Sequence, residues 1–161
     1  MLIESARFGK LDIAEDSIIS FPEGILGFEE HRRFAILSCE QTDPVQWLHS
    51  IDDPGISLPI INPFLLKSDY NIEVDDSELK PLKTSVEEDI IVYCVTVLPN
   101  ELKDVTINFA APILINYKRN VGKQVVMGVV DDKLIRYPAF ELLQKYFKEV
   151  AESAGTVSQN E

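Results

Sequence analysis

Between residues 105 and 130 the chain carries its most regular apolar pattern. Val105, Ile107 and Phe109 alternate with Thr106, Asn108 and Ala110, the two-residue period of a strand that buries one face. Pro112 cannot donate to a hydrogen-bonded ladder and predicts a bulge or a strand edge, after which Ile113, Leu114 and Ile115 resume the apolar run. Residues 120–122 turn the chain, and residues 124–130 return as a second, β-branched strand. The pattern predicts a hairpin-like pair of core strands. Two strands cannot cover their own apolar faces, so further elements must pack around them.

Shorter strands are predicted on both sides of this pair. Residues 2–8 and 10–21 read as two strands around Gly9, the second leading through Ile18, Ile19 and Phe21 into Pro22-Glu23-Gly24. Proline presets its own φ there and glycine accepts a positive one, which makes a turn. In the apolar group that follows, Leu26 and Phe28 either cap the end of a small barrel or form an exposed contact. Residues 33–38, 46–51, 57–62 and 70–74 are further strand candidates, the last with its polar side outward. The stretch Asp52-Asp53-Pro54-Gly55 is a tight-turn sequence in which an aspartate bonds to the backbone just ahead. Residues 90–98 are nearly all apolar and β-branched, which predicts a central strand covered on both faces.

Two helices complete the reading. Over residues 75–82, Asp75 or Asp76 can cap a short helix, Glu78 lies in its first turn and Pro81 limits its length. Pro138 suits the first position of a second helix, in which Phe140, Leu143, Phe147 and Val150 recur at helical intervals and Leu142 and Tyr146 widen the stripe. That stripe either packs on the domain or docks a partner. The elements predict a mostly β fold, a small antiparallel β-barrel-like single domain over residues 1–152 with one short helix and a C-terminal helix, followed by a flexible tail at 153–161.

Composition narrows the chemistry. With 161 residues and 45% apolar side chains the chain is long enough for one core without disulfides or metal. The 27 acidic and 15 basic side chains leave a net charge of -12, which argues against direct contact with nucleic-acid phosphates and favours a basic protein partner. Acidic surfaces also keep proteins soluble, so the charge alone leaves both readings open. Cys39 and Cys94 fit reduced thiols in a cytoplasm, the N-terminal segment has no long apolar core of a signal peptide, and no apolar run reaches the length of a membrane helix. His31 and His49 stand in no metal or catalytic spacing, and no phosphate-binding glycine motif is present. Catalytic, cofactor and metal sites are therefore not expected. The alternative is a small barrel enzyme or ligand-binding protein with a pocket at the barrel mouth near the Asp52 loop.

Four segments in order resemble the flagellar assembly factor FliW family. They are FGKLDIAEDSIISFPEGILGFEEHRRFAIL at 8–37, WLHSIDDPGISLPIINPF at 47–64, TINFAAPILIN at 106–116 and KQVVMGV at 123–129. The resemblance implies a β-barrel-like cytoplasmic protein without catalysis that binds two partners in turn, flagellin and the basic RNA-binding translational regulator CsrA. Holding CsrA would relieve repression of flagellin translation, and an acidic protein would be steered toward that partner. The carboxylates of Asp52, Asp53, Glu73, Asp75, Asp76 and Glu78 are the expected acidic contact surface. Phe28, Trp47 and Phe64 are the aromatic candidates for anchors, with core packing the alternative for Trp47 and Phe64. Asn108, Asn116 and Gln124 either satisfy backbone groups near the bulge or meet a partner.

Overall fold

The computed structural model describes residues 1–84, 87–127 and 131–159. Among them eleven strands and two α-helices occur in the order β1 (Leu2–Ser5), β2 (Gly9–Asp12), β3 (Ile19–Ser20), β4 (Arg33–Ser38), β5 (Gln46–Ser50), β6 (Ser57–Ile61), α1 (Asp76–Leu79), β7 (Ile90–Val97), β8 (Thr106–Ile107), β9 (Ile113–Asn116), β10 (Val121–Gln124), β11 (Tyr137–Pro138) and α2 (Phe140–Gln159). Strands β7, β6, β5, β4, β3, β10 and β9 are neighbours in that order, and β9 returns to β7 to close a seven-stranded barrel. Closure leaves these seven strands with no open sheet edge between them. All neighbours in the ring are antiparallel except β3 and β10, which meet in parallel at Ser20 and Val121.

Alternation along each strand decides what fills the barrel and what faces out. Phe34, Leu48, Ile60, Tyr93, Ile113 and Ile115 join Ile19, Phe21 and Ile25 in one buried cluster inside. Their sequence neighbours Ala35, Ile61, Cys94 and Leu114 belong to other clusters on the outer side. The outer side is in turn covered three ways. The β1–β2 hairpin brings Ile3 and Leu11 over Ala35 and Ile51. Leu79 and Leu82 cover Leu114 and Val125. Helix α2 lays Phe140, Leu142, Leu143 and Tyr146 against the cluster of Ile61, Tyr70, Ile107 and Phe109. Each fully buried aliphatic or aromatic side chain stabilises the fold by roughly 1.5–3 kcal/mol relative to exposure. Gly122 marks the tightest packing, because an added Cβ would stand 2.5 Å from the ring of Phe21.

The 105–130 stretch divides differently from its pattern. The hairpin is β9–β10, from Gln124 opposite Ile113 to Val121 opposite Asn116. Strand β8 leaves the barrel to pair with the end of β7 and with β11. The interruption is Ala110-Ala111-Pro112, where the Asn108 side chain accepts from Ala110 N–H at 3.0 Å. Two further bonds, Val125 N–H to Pro112 and Met127 N–H to Ala110, carry the pairing past the strand ends. The remainder of the expected second strand, residues 128–130, lies outside the described residues.

Two other expectations change. Residues 70–74 form no strand, although Ile72 and Val74 are turned toward the core and Asn71 and Glu73 outward as their alternation requires. Tyr70 is buried, and its hydroxyl donates to the Phe109 carbonyl at 2.5 Å, so this segment is held by side chains rather than by a ladder. Residues 10–21 split into β2 and β3 around a turn at Glu15–Ser17. Helix α2 runs from Phe140 to Gln159. Among the described residues no helix is long and apolar enough to cross a membrane.

Candidate functional site

On the outer wall, α1, strand β10 and the turn at 22–24 enclose a groove with two adjoining lobes. The larger, about 630 Å³, is lined by Asn71, Glu73, Val74, Asp75, Glu78, Val126, Met127 and Leu134. The smaller, about 320 Å³, is lined by Glu23, Gly24, Leu26, Glu29, Glu78, Lys123, Gln124 and Val126. Glu78 and Val126 belong to both lobes. The rim is acidic and the floor apolar, with Leu26 54% and Val126 58% exposed despite their chemistry.

Local structure explains how these side chains are presented. The turn at 22–24 depends on Gly24, whose φ of +70° suits glycine and whose Cβ position would lie 2.6 Å from the Glu29 backbone. Gln124 then fixes the following loop, since its Oε1 accepts from Leu26 N–H at 2.9 Å and its Nε2 donates to the Ala111 carbonyl at 3.0 Å. Asp75 stands at the N-cap of α1 but makes no side-chain capping bond, so its carboxylate is not drawn back onto the helix end. Glu29 accepts from Gly27 N–H at 3.1 Å, and the backbone amides of Glu29 and Gly27 hold its pKa below the usual carboxylate range.

Lys123 joins the lobes. Its Nζ is 3.0 Å from Glu78 and 3.4 Å from Glu23, and its side chain is only 11% exposed. Burial works against its charge, but the hydrogen bonds it donates to Glu78 and Glu23 outweigh that and raise its pKa. Lys123 stays charged and straps α1 to the turn at 22–24 across β10.

The residues singled out by sequence separate into two groups. Glu73, Asp75 and Glu78 come together in the groove, and Asp76 is exposed beside them on α1. Phe28 is half-buried against the barrel interior, bridged to Ile25 at the edge of the loop that carries Leu26. The others lie elsewhere. Asp52 accepts from Arg33 Nε at 2.9 Å and Nη2 at 2.6 Å, and Asp53 accepts from Gly55 N–H at 2.9 Å, as its turn sequence requires. Phe64 is 43% exposed and packs on Tyr70 at 5.7 Å between ring centroids. Trp47 is not available as a surface anchor. It is 3% exposed, its indole N–H donates to Thr42 Oγ1, Phe8 packs edge-on against it and the Arg7 guanidinium sits 4.2 Å above it.

The remaining polar candidates serve the frame. Asn116 donates to the Leu82 carbonyl at 2.7 Å and accepts from Lys118 N–H. His49 is fully buried, bonded to Ser5 Oγ and the Ser50 carbonyl at 2.7 Å each. Cys94 is buried beneath Tyr70, and burial pushes its thiol up to about 12. Among the described residues no three His, Cys, Asp or Glu side chains are grouped to hold a metal ion. Leu26, read from the sequence as either a barrel cap or an exposed contact, is exposed in the smaller lobe, whereas Glu23, Glu29, Lys123 and Val126 carried no signal of their own because the groove draws them from separate segments.

The fold and groove define a class: a closed small β-barrel with a packed interior and an acidic, apolar-floored groove on its outer wall. The chain belongs to the FliW family, whose family model, described as FliW protein, matches residues 2–139. The match ends just before α2. The flagellar assembly factor FliW of Caldicellulosiruptor saccharolyticus is 37% identical over 88% of this chain and 92% of its own length. That of Thermosipho africanus is 36% identical over 81% and 90%. A crystal structure of the flagellar assembly factor FliW matches the fold with a TM-score of 0.76 and 32% identity, covering 81% of this chain and 92% of that one.

Proposed function

We propose that this flagellar assembly factor acts by binding proteins rather than by catalysis: it sequesters the basic translational regulator CsrA and also binds flagellin, so that flagellin translation is released from repression. The observation that carries the reading is the groove, where five carboxylates, Glu23, Glu29, Glu73, Asp75 and Glu78, ring an exposed apolar floor. Such a surface complements a segment that is both cationic and apolar, and the net charge of -12 steers a basic partner toward it. The cytoplasm is where both partners are made, which places the protein there. Phe64, exposed over Tyr70, is a candidate contact for flagellin.

Titration calorimetry of the full chain with CsrA, with flagellin, and with both together tests the reading. Saturable binding to each and mutual competition are expected. Absence of binding to both partners would overturn it.

A further inference from the structure

Among the described residues lining the groove, Lys123 is the cation and the acidic groups are all carboxylates. Its ammonium sits between Glu78, which both lobes share, and Glu23, which belongs to the smaller one. A ligand that spans the groove must pass this point. The lysine is nearly enclosed, whereas the side chains of Glu78 and Glu23 are 45% and 61% exposed and open to a second cation. We infer that Lys123 is a built-in competitor for the groove's central cation position, displaced at Glu78 and Glu23 by a lysine or arginine of the bound partner.

This inference rests on the reading of the groove as the site for a basic partner. A flexible four-carbon stem lets the ammonium withdraw from its carboxylates without moving β10. Displacement then exchanges one ion pair for another, so binding at this point gains less than binding to two free carboxylates. The competitor lowers affinity for any simple cation and leaves the advantage to a partner that also covers the apolar floor at Leu26 and Val126.

Fluorescence anisotropy with a labelled oligo-lysine peptide, on the full chain, tests the displacement. Lys123→Met and Lys123→Gln remove the competing charge, the second keeping a polar end for the two glutamates should the first fail to fold. Each folded variant is expected to bind the peptide about fivefold more tightly than wild type at low salt, with the gain shrinking as salt screens the carboxylates. Equal or weaker binding by the folded variants overturns the inference and makes Lys123 a structural strap, while the groove reading stands. The Glu73→Lys, Asp75→Lys double variant controls for the reading itself. If it binds the peptide as wild type does, the peptide is not in the groove and both fall.

Discussion

Two parts of this molecule carry adjacent carboxylates beside apolar residues, and they are put to different use. The loop after β5 holds Asp52 and Asp53 close to Trp47 and His49 in sequence, and each of these side chains is engaged within the fold. Arg33 takes Asp52, the Gly55 amide takes Asp53, Thr42, Phe8 and Arg7 surround Trp47, and Ser5 meets His49. Around α1 the same residue types do less for the fold. Asp75 makes no capping bond, Glu73 among the described residues meets only the side chain of Asn71, at 3.2 Å, and both line a groove. Among the described residues no cation pairs with Glu73 or Asp75, whereas Glu78 and Glu23 already hold Lys123 and can be taken by a partner only in exchange for it. Composition alone does not show which case applies.

The comparison breaks most visibly at Trp47. Trp47→Ala removes a buried ring together with its bond to Thr42 and its contact with Arg7, so unfolding in denaturant should show a loss of about 3–5 kcal/mol. Affinity for CsrA per folded molecule should stay unchanged. A large loss of affinity with stability intact would return Trp47 to the contact surface. The opposite result is expected in the groove. Glu73→Lys with Asp75→Lys should weaken CsrA binding by about 2 kcal/mol, roughly thirtyfold, and more at low salt than at high. Stability should move by no more than about 0.5 kcal/mol, because neither side chain supports buried structure. Asp52→Lys with Asp53→Lys should weaken binding less; if it weakens it more, the two regions have been assigned the wrong way round.

Much of the frame was legible because burial follows the period of the chain. The outward and inward alternation in β4, β6, β7 and β9 is the alternation of Phe34 with Ala35, Ile60 with Ile61, Tyr93 with Cys94 and Leu114 with Ile115. The same rule overreached at 70–74, where Ile72 and Val74 face the core without any ladder, since period sets the side of the chain and not its hydrogen-bond partners. It also carried one strand through the interruption expected at Pro112, where the chain instead separates β8 from β9. The site was half legible. Glu73, Asp75 and Glu78 are close in sequence and therefore visible as a cluster. Lys123 reaches Glu78 through the packing of Leu79 and Leu82 on Leu114 and Val125, and Glu23 reaches Lys123 through the parallel contact of β3 with β10, long-range pairings that no local pattern encodes.

The smallest expected effect sharpens the same contrast through pH. Asp52 has its pKa lowered chiefly by the hydrogen bond from Arg33, with the charge of Arg33 adding to it against the cost of burial. A carboxyl whose pKa is lower folded than unfolded adds stability in full above its ordinary value of about 3.9. That stability disappears as pH falls through the lowered value, where both states hold the proton. The pair is partly exposed, at 49% and 32%, so its worth is about 0.5–1 kcal/mol. Asp52→Asn should therefore melt slightly below wild type at neutral pH, with the gap closing as the pH drops under about 4. A gap that persists unchanged below that pH would mean that Arg33 does not hold the Asp52 carboxylate, and the contrast drawn for that loop would fail.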